Sequence, residues 1–319
     1  MSGKCLTGAA TLILATVLAT AMEAQVVRGA GHTRIDALET RDQRPDGKGR
    51  NHRDHEGRGR ARVRSRTRDN GIYYHGGPIM TGTTNVYYIW YGDWSGTNGT
   101  AAQSILLNLA SAIGRSRYYN INTSYTNSAG TRVSNSVRYN GSAHDSYSQG
   151  SSIGDAGVQA IVNKAISSGA LPNDPKGAYF VLTSKDVKET SGFCMSYCGW
   201  HTRMSVGGTD IKFAFVGDPD QQCPSACEEQ TGVSPNGEPG ADGMASIIAH
   251  ELNEMASDPD LNAWYDKTGE ESGDKCAWTF GTTKTASNGT LYNITLGSRQ
   301  YLIQRNWVNA LGGYCSMSY

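Results

Sequence analysis

A change of composition near Asn70 most constrains what this chain can fold into, because only the residues after it contain enough apolar side chains for a core. Residues 25–70 are rich in Arg, Gly, Asp and His and contain almost no aromatic or branched apolar side chains. Burial in such a segment cannot offset the entropy lost on ordering. We therefore predict a disordered Arg/Gly-rich leader over residues 25–70 and one globular domain over residues 71–319.

The leader has several roles compatible with its charge. Arginines are frequent between Arg50 and Arg68, and from Arg58 onward every second residue is an arginine. A solvated linker is the simplest role, and binding to acidic polysaccharide or nucleic acid, or cleavage by a protease of basic specificity, are alternatives.

The balance of charge also differs between the leader and the domain. The chain has 29 basic and 29 acidic residues, but 14 of the basic residues and 8 of the acidic ones precede residue 71, which leaves the domain with a net charge of −6. Binding to nucleic-acid phosphates needs a basic surface, so a nucleic-acid-binding core is excluded. A domain of this length buries most of its apolar surface without needing a metal or disulfides for size alone.

The first residues have the organisation of a secretory signal. Lys4 precedes an apolar run from Leu6 to Leu18, and the small residues Ala21 and Ala24 offer cleavage sites. A transmembrane anchor is the alternative, but it needs about 20 apolar residues and this run is shorter and interrupted by threonines. We predict a signal peptide over residues 1–24, a secreted protein, and no membrane span.

Cysteine usage agrees with secretion. Removal of the signal leaves an even number of cysteines, as an oxidised framework requires. The short C-M-S-Y-C and C-P-S-A-C spacings favour local pairs, although other pairings and a zinc ribbon of four cysteine thiolates remain open. The favoured pairs are Cys194–Cys198, Cys223–Cys227 and Cys276–Cys315. Five sequons predict glycosylation at Asn98, Asn122, Asn140, Asn288 and Asn293.

Apolar periodicity predicts the main elements. Alternation of strand-like and helix-like segments indicates an α/β or α+β fold, with helices packed on one mixed sheet and a disulfide-tied C-terminal part; a zincin-like arrangement is one form of it. The expected strands are Val86–Tyr91, Tyr179–Thr183 and Ile211–Val216, the expected helices are Thr100–Ile113, Ser152–Ser168 and Met244–Asp258, and the expected C-terminal hairpin pairs Tyr292–Leu296 with Gln300–Ile303.

The segment that carries chemistry is H-E-L-N-E at His250. On a helix, His250, Glu254 and Asp258 form one stripe with Glu251 beside it, and no Lys or Arg of the helix compensates the carboxylates. H-E-x-x-E differs by one ligand from the zincin motif H-E-x-x-H. We predict that His250 and Glu254 bind zinc and that Glu251 is the general base for a metal-bound water. A solvated acidic face is the alternative.

The remaining zinc ligands must lie elsewhere. Asp258 is the nearest, and Glu270, Glu271 and Asp274 follow the helix at a distance typical of a further carboxylate ligand. His201 lines the site or is a hydrogen-bonded structural histidine. The chain has no G-x-S-x-G, P-loop or G-x-G-x-x-G motif in a strand-to-helix context, so serine-hydrolase and nucleotide-binding functions lack support.

Several strings in one order carry a family resemblance. They are Y-H-G-G-P-I-M at residues 74–80, V-Y-Y-I-W-Y-G-D-W at 86–94, G-F-C-M-S-Y-C-G-W-H at 192–201, A-F-V-G-D-P at 214–219, H-E-L-N-E-M-A-S-D-P-D-L-N-A-W-Y-D at 250–266, G-D-K-C at 273–276, N-W-V-N and a terminal G-Y-C. With these strings, nearly the whole domain resembles the plant EXORDIUM and phosphate-induced protein 1 family. The Arg-rich leader departs from the family pattern.

The resemblance implies a secreted protein of the apoplast or cell wall, associated with cell expansion and growth regulation. It implies an extracellular protein or a cell-wall polysaccharide as partner, and it carries over no enzymatic activity. Two functions therefore stay open: a non-catalytic extracellular protein with a metal-binding helix, and a zinc-dependent, metallopeptidase-like hydrolase that uses Glu251.

Overall fold

The computed structural model describes residues 71–319. The predicted signal peptide (residues 1–24) and leader (residues 25–70) lie outside the described residues and stay predictions. The strands are, in chain order, β1 (Tyr73–Tyr74), β2 (Thr84–Tyr91), β3 (Val137–Asp145), β4 (Ser152–Ile153), β5 (Gly177–Thr183), β6 (Lys188–Glu189), β7 (Gly199–Val206), β8 (Thr209–Gly217), β9 (Trp264–Tyr265), β10 (Lys284–Thr285), β11 (Leu291–Tyr292), β12 (Ile294–Leu296), β13 (Arg299–Tyr301), β14 (Asn306–Val308) and β15 (Tyr314–Ser316). The α-helices are α1 (Gly96–Ala112), α2 (Asp155–Ser167), α3 (Pro224–Cys227) and α4 (Pro239–Ser257), and 3₁₀-helices span Tyr119–Ser124 and Asp274–Cys276.

A five-stranded mixed sheet in the order β3-β2-β5-β8-β7 forms the centre of the domain. Four strands are parallel, and β7 runs antiparallel to β8 at one edge. Strands β2, β5 and β8 are almost wholly buried, as their continuous aromatic and β-branched runs predict. The predicted mixed sheet with packed helices is confirmed, and the predicted C-terminal hairpin is present as β12 and β13.

The helices lie on both faces of the sheet. Helix α1 lies in the crossover from β2 to β3, and α2 lies in the crossover from β3 to β5, which runs in the opposite direction along the sheet. Because both crossovers are right-handed, the two helices lie on opposite faces of the sheet. Helix α4 packs against α1 and against β7 and β8. Within residues 71–319, no helix is both long and apolar enough to cross a membrane.

Helix α4 carries the H-E-x-x-E motif and is buried on nearly all sides. It begins at Pro239, five residues before the predicted start, and nearly all of its side chains are buried. His250 and Glu254 are each 1% exposed, and Glu251 is 0% exposed. A solvated acidic face is therefore wrong for this helix. Packing against the sheet buries the side that the charge pattern alone would place in water.

Two of the three predicted disulfide pairings are wrong. The bonds join Cys194 to Cys223 and Cys198 to Cys227, while the predicted Cys276–Cys315 bond is confirmed. The local pairs do not form because the segment from Gly192 to Cys198 lies beside helix α3, so each cysteine faces the other segment. The disulfides also exclude the zinc ribbon.

The sequons differ in their environments. Asn98, Asn140 and Asn288 are exposed, and Asn293 is half-buried. Asn122 is fully buried, and its Nδ2 donates a hydrogen bond to Asn253 Oδ1 at 2.7 Å. A glycan on Asn122 does not fit this fold, so we expect this sequon to stay unmodified, and the other four sites stay predictions.

Candidate metal centre

Three segments bring the predicted site residues together. Helix α4 carries His250, Glu251 and Glu254, strand β7 carries His201, and the segment after β9 carries Glu271 and, at the start of the second 3₁₀-helix, Asp274. These six side chains are called the buried centre below. Gly199 allows α4 to approach β7, because a Cβ at this position would lie 2.5 Å from Ile247 Cγ2. This close approach places His201 over the H-E-x-x-E turn.

The first group of ligand atoms surrounds His250. Its Nε2 lies 3.2 Å from Glu254 Oε1 and 3.6 Å from Asp274 Oδ1. A tetrahedral zinc ion with bonds of about 2.0–2.2 Å separates neighbouring ligand atoms by about 3.3–3.6 Å. The two distances from His250 Nε2 are compatible with this spacing, all three ligand atoms lie within 4.8 Å of one another, and the group includes both helical ligands that the motif predicts.

A buried glutamine orients the His250 ring. The Nδ1 atom lies 3.2 Å from Gln304 Oε1, and the Gln304 backbone N–H donates to Ser246 Oγ. An Nδ1–H that donates to this amide oxygen leaves the Nε2 lone pair directed at Glu254 and Asp274. In metal-binding histidines, a hydrogen bond from the ring nitrogen that does not bind the metal fixes the tautomer in this way. Gln304 was not predicted, since it lies on the segment after β13 and no motif marks it.

The second group of ligand atoms surrounds His201. Its Nε2 lies 3.3 Å from Glu271 Oε2 and 3.7 Å from Glu254 Oε2. His201, Glu251 and Glu254 also offer ligand atoms within 4.8 Å of one another. Glu254 therefore belongs to both groups. His201, expected either to line the site or to be structural, lies within it.

Burial of four carboxylates makes the centre electrostatically demanding. Glu251, Glu254 and Glu271 are each at most 1% exposed. Burial, followed by the charge of Asp274, raises the pKa of Glu254, and His250 opposes this shift. The backbone N–H groups of Gly273 and Asp274 donate to Glu254 Oε1 and offset part of the cost. Uncompensated charges in such an environment are costly, so protons or cations must balance them.

Two predicted ligands lie outside the centre. Helix α4 ends at Ser257, and Asp258 leaves the helical path with a φ of −141°. Its Oδ1 accepts hydrogen bonds from the backbone N–H groups of Asn262 and Ala263, so it stabilises the following loop. Glu270 is partly exposed, with its carboxylate 3.8 Å from Lys275 Nζ. The structure places neither side chain with His250.

Glu251, the predicted general base, is fully enclosed by protein. It groups with His201 and Glu254. A general base must reach both a metal-bound water and a substrate. The enclosed position of Glu251 gives the hydrolase alternative no support.

A separate cavity of about 310 Å³ opens at the carboxyl ends of β2, β5 and β8. Ligands of open α/β sheets commonly bind at this edge. The cavity is lined by Asp93, Lys185, Asp186, Asp218, Asp220 and Glu238, among others. Burial raises the pKa of Asp218 to about 6. The excess of carboxylates disfavours polyanionic ligands, in agreement with the acidic domain.

The fold and the centre together define the class of protein. It is a disulfide-bonded α/β protein with a buried histidine–carboxylate centre on a helix that packs against its mixed sheet. The chain belongs to the phosphate-induced protein 1 family, because the model of the phosphate-induced protein 1 conserved region matches residues 72–315. The resemblance found in the sequence is thereby confirmed.

Named relatives agree with this family. The chain is 33% identical to Protein EXORDIUM-like 3 of Arabidopsis thaliana over 280 residues, which cover 77% of this chain and 82% of the relative. It is 34% identical to Protein EXORDIUM-like 5 of the same plant, over 74% of this chain and 75% of the relative. It is 26% identical to Protein PHOSPHATE-INDUCED 1 of Nicotiana tabacum, over 61% and 67%. No solved structure matches the chain.

Proposed function

We propose that this chain is a secreted protein of the cell wall or apoplast that takes part in growth regulation, and that its buried centre binds zinc through His250, Glu254 and Asp274. The growth-related part rests on family membership and on the resemblance from which it was first inferred. The three disulfides of the domain are typical of an extracellular protein and support the secreted part of the proposal. An extracellular protein or a cell-wall polysaccharide is the proposed partner.

The observation that carries the metal site is the spacing of the three ligand atoms inside the fold. They converge at distances suited to zinc, and Gln304 orients the histidine for coordination. The side chains of His250, Glu254 and Asp274 are at most 5% exposed. Three protein ligands leave a coordination position to fill, but a catalytic ion must also be reached by a substrate, and side chains this deeply enclosed offer no such access. A stabilising role is therefore proposed, without catalysis.

Metal analysis of the purified secreted chain tests the site. We expect zinc to co-purify, and its removal by a chelator should lower Tm by about 10 °C, because a ligand that binds only the folded state stabilises it. Added zinc should restore Tm. His250→Ala should lose the zinc and the response to chelator.

The matched control is His144→Ala. His144 is exposed on β3, away from the centre, and its loss should change neither zinc content nor Tm. Equal zinc content and Tm in the wild type and in His250→Ala would contradict the metal site.

Secretion and growth need their own measurements. Removal of residues 1–24 should abolish appearance of the protein in the medium of expressing cells. Expression of the intact chain in plant seedlings should change epidermal cell length relative to the variant without residues 1–24. Unchanged cell length, with the protein present in the cell wall, would contradict the growth-related part.

A further inference from the structure

We propose that the buried centre holds two divalent cations, with the carboxylate of Glu254 as the bridge between them. The proposal rests on the zinc site proposed above and adds a second ion, bound by His201, Glu251 and Glu271 together with Glu254. The class of ligand is a divalent first-row transition metal, which imidazole and carboxylate groups bind well.

The orientation of Glu254 carries the proposal. Its Oε1 faces His250 Nε2 at 3.2 Å, whereas its Oε2 faces His201 Nε2 at 3.7 Å. The two oxygens of one carboxylate are therefore directed at two different imidazoles. A carboxylate in this position bridges two ions, and protein two-metal sites separate their ions by about 3.5–4 Å.

Each ion has its own remaining ligands. Asp274 Oδ1 completes the group around His250, and Glu271 Oε2, at 3.3 Å from His201 Nε2, belongs to the group around His201. Glu251 offers a ligand atom to the His201 group. The set of two histidines and four carboxylates has the composition of carboxylate-bridged dimetal centres, which occur on helical bundles with a different fold.

Charge neutrality favours two ions over one. The four carboxylates of the centre carry four negative charges when ionised, and all four lie inside the protein. One divalent cation compensates only half of this charge, and the remainder is costly in a medium of low dielectric constant. Two divalent cations compensate it fully without protonating any of the carboxylates. The same charge balance couples the binding of the two ions, because removal of one ion leaves excess negative charge beside the remaining ion.

Metal stoichiometry tests the second ion. The full secreted chain is stripped with a chelator, reloaded with Zn²⁺, freed of excess metal by gel filtration and analysed for zinc per chain. We expect two ions in the wild type and in the His144→Ala control, and a loss of one in His201→Ala. Glu254→Gln should lose both, because a neutral amide cannot bridge two cations.

A second measurement needs no variant and so does not depend on the folding of His201→Ala. Wild-type protein loaded with Mn²⁺ should give the electron paramagnetic resonance spectrum of an exchange-coupled pair, since the bridging carboxylate couples the two spins. The spectrum of isolated Mn²⁺ ions at full loading would overturn the bridge.

The outcomes separate the two proposals. Two zinc ions and a coupled Mn²⁺ pair support both. One zinc ion that is lost in His250→Ala and kept in His201→Ala overturns the second ion and leaves the zinc site standing. No bound zinc at any concentration that preserves the fold overturns both, and His201 is then an ion-pair partner of Glu271 and Glu254.

Discussion

Gly273 lies so close to His250 that a Cβ built on it would be 2.8 Å from both Nδ1 and Cε1 of the imidazole, and 2.9 Å from Glu254 Oε1. The φ of Gly273 is −73°, which any residue adopts, so the glycine is needed for space alone. Gly273→Ala should push the loop away from α4. We expect a loss of about 1–3 kcal/mol in the free energy of unfolding and weaker zinc binding, measured by urea denaturation and metal analysis.

Gly154→Ala is the matched control for this substitution. Gly154 has a φ of −124°, and the atoms nearest its added Cβ are the rotatable hydroxyls of Ser191 and Thr190. Its zinc content should equal that of the wild type. Equal zinc binding and stability in Gly273→Ala would show that the loop can move without disturbing the centre.

The two neighbouring disulfides should stabilise the domain non-additively. Cys194–Cys223 and Cys198–Cys227 each close a separation of 29 residues between the same two segments. Closing one such loop restricts the unfolded chain by about 3–4 kcal/mol, and a second bond across the same loop adds much less. Replacing either pair by alanine should therefore cost far less than replacing both.

Denaturant unfolding of the two double variants and the quadruple variant measures this difference. Peptide mapping provides the matching covalent test, and it should recover the 192–198 segment linked to the 223–227 segment. Peptides linked only internally would contradict the pairing.

Glu228 should make the domain less stable as the pH rises. It is 4% exposed, and burial, reinforced by the charges of Asp220 and Asp218, raises its pKa to about 8. Because the folded state holds the proton more tightly than the unfolded state, this group contributes stability that is fully present below its ordinary pKa of 4.5. The contribution is lost as pH rises through about 8.

Two variants check the assignment to Glu228. Glu228→Gln should stabilise the protein above about pH 8 by about 1–2 kcal/mol and flatten the pH dependence of unfolding. Asp220→Asn removes one repelling charge and should move the midpoint of that dependence to lower pH. A wild-type stability that stays constant from mildly acidic to alkaline pH would exclude a buried, proton-binding Glu228.

The sequence predicts the strands that lie inside the sheet better than those at its edges. Strands β2, β5 and β8 are continuous apolar runs, which is how a strand buried on both faces is encoded. Strand β3 is not evident in the sequence because its inward positions are mostly only partly buried and one of them is Gly141, so the apolar alternation is weak although the burial alternates regularly. Strand β7 follows directly on a cysteine pair, which suggested a disulfide-tied loop instead.

The candidate site is predictable only where its residues share one helix. The spacing of His250 and Glu254 on a helix fixes their common side, so the motif identifies them. Asp258 shares that spacing but lies beyond the last helical residue, and its carboxylate turns to the backbone of the next loop. His201 and Glu271 are 70 residues apart in sequence, and only the tertiary fold brings β7 and the segment after β9 together.

We expect the buried side chain of Asn122 to stabilise the folded domain and to carry no glycan. Its Nδ2 donates to Asn253 Oδ1, its Oδ1 accepts from Asn306 Nδ2 at 3.2 Å, and Asn253 in turn donates to Tyr118 Oη. Asn122→Ala would leave the buried amides of Asn253 and Asn306 each short of a partner, which costs about 1–3 kcal/mol for each unsatisfied group. Asn98→Ala, at an exposed sequon, should change the free energy of unfolding far less. Protein from a glycosylating host should therefore show glycans only at other sequons, such as Asn98, Asn140 or Asn288, when its peptides are analysed by mass spectrometry. A glycan found on Asn122 in natively folded protein would require this network to be open, and it would contradict the packing between α4 and the segment around Asn306.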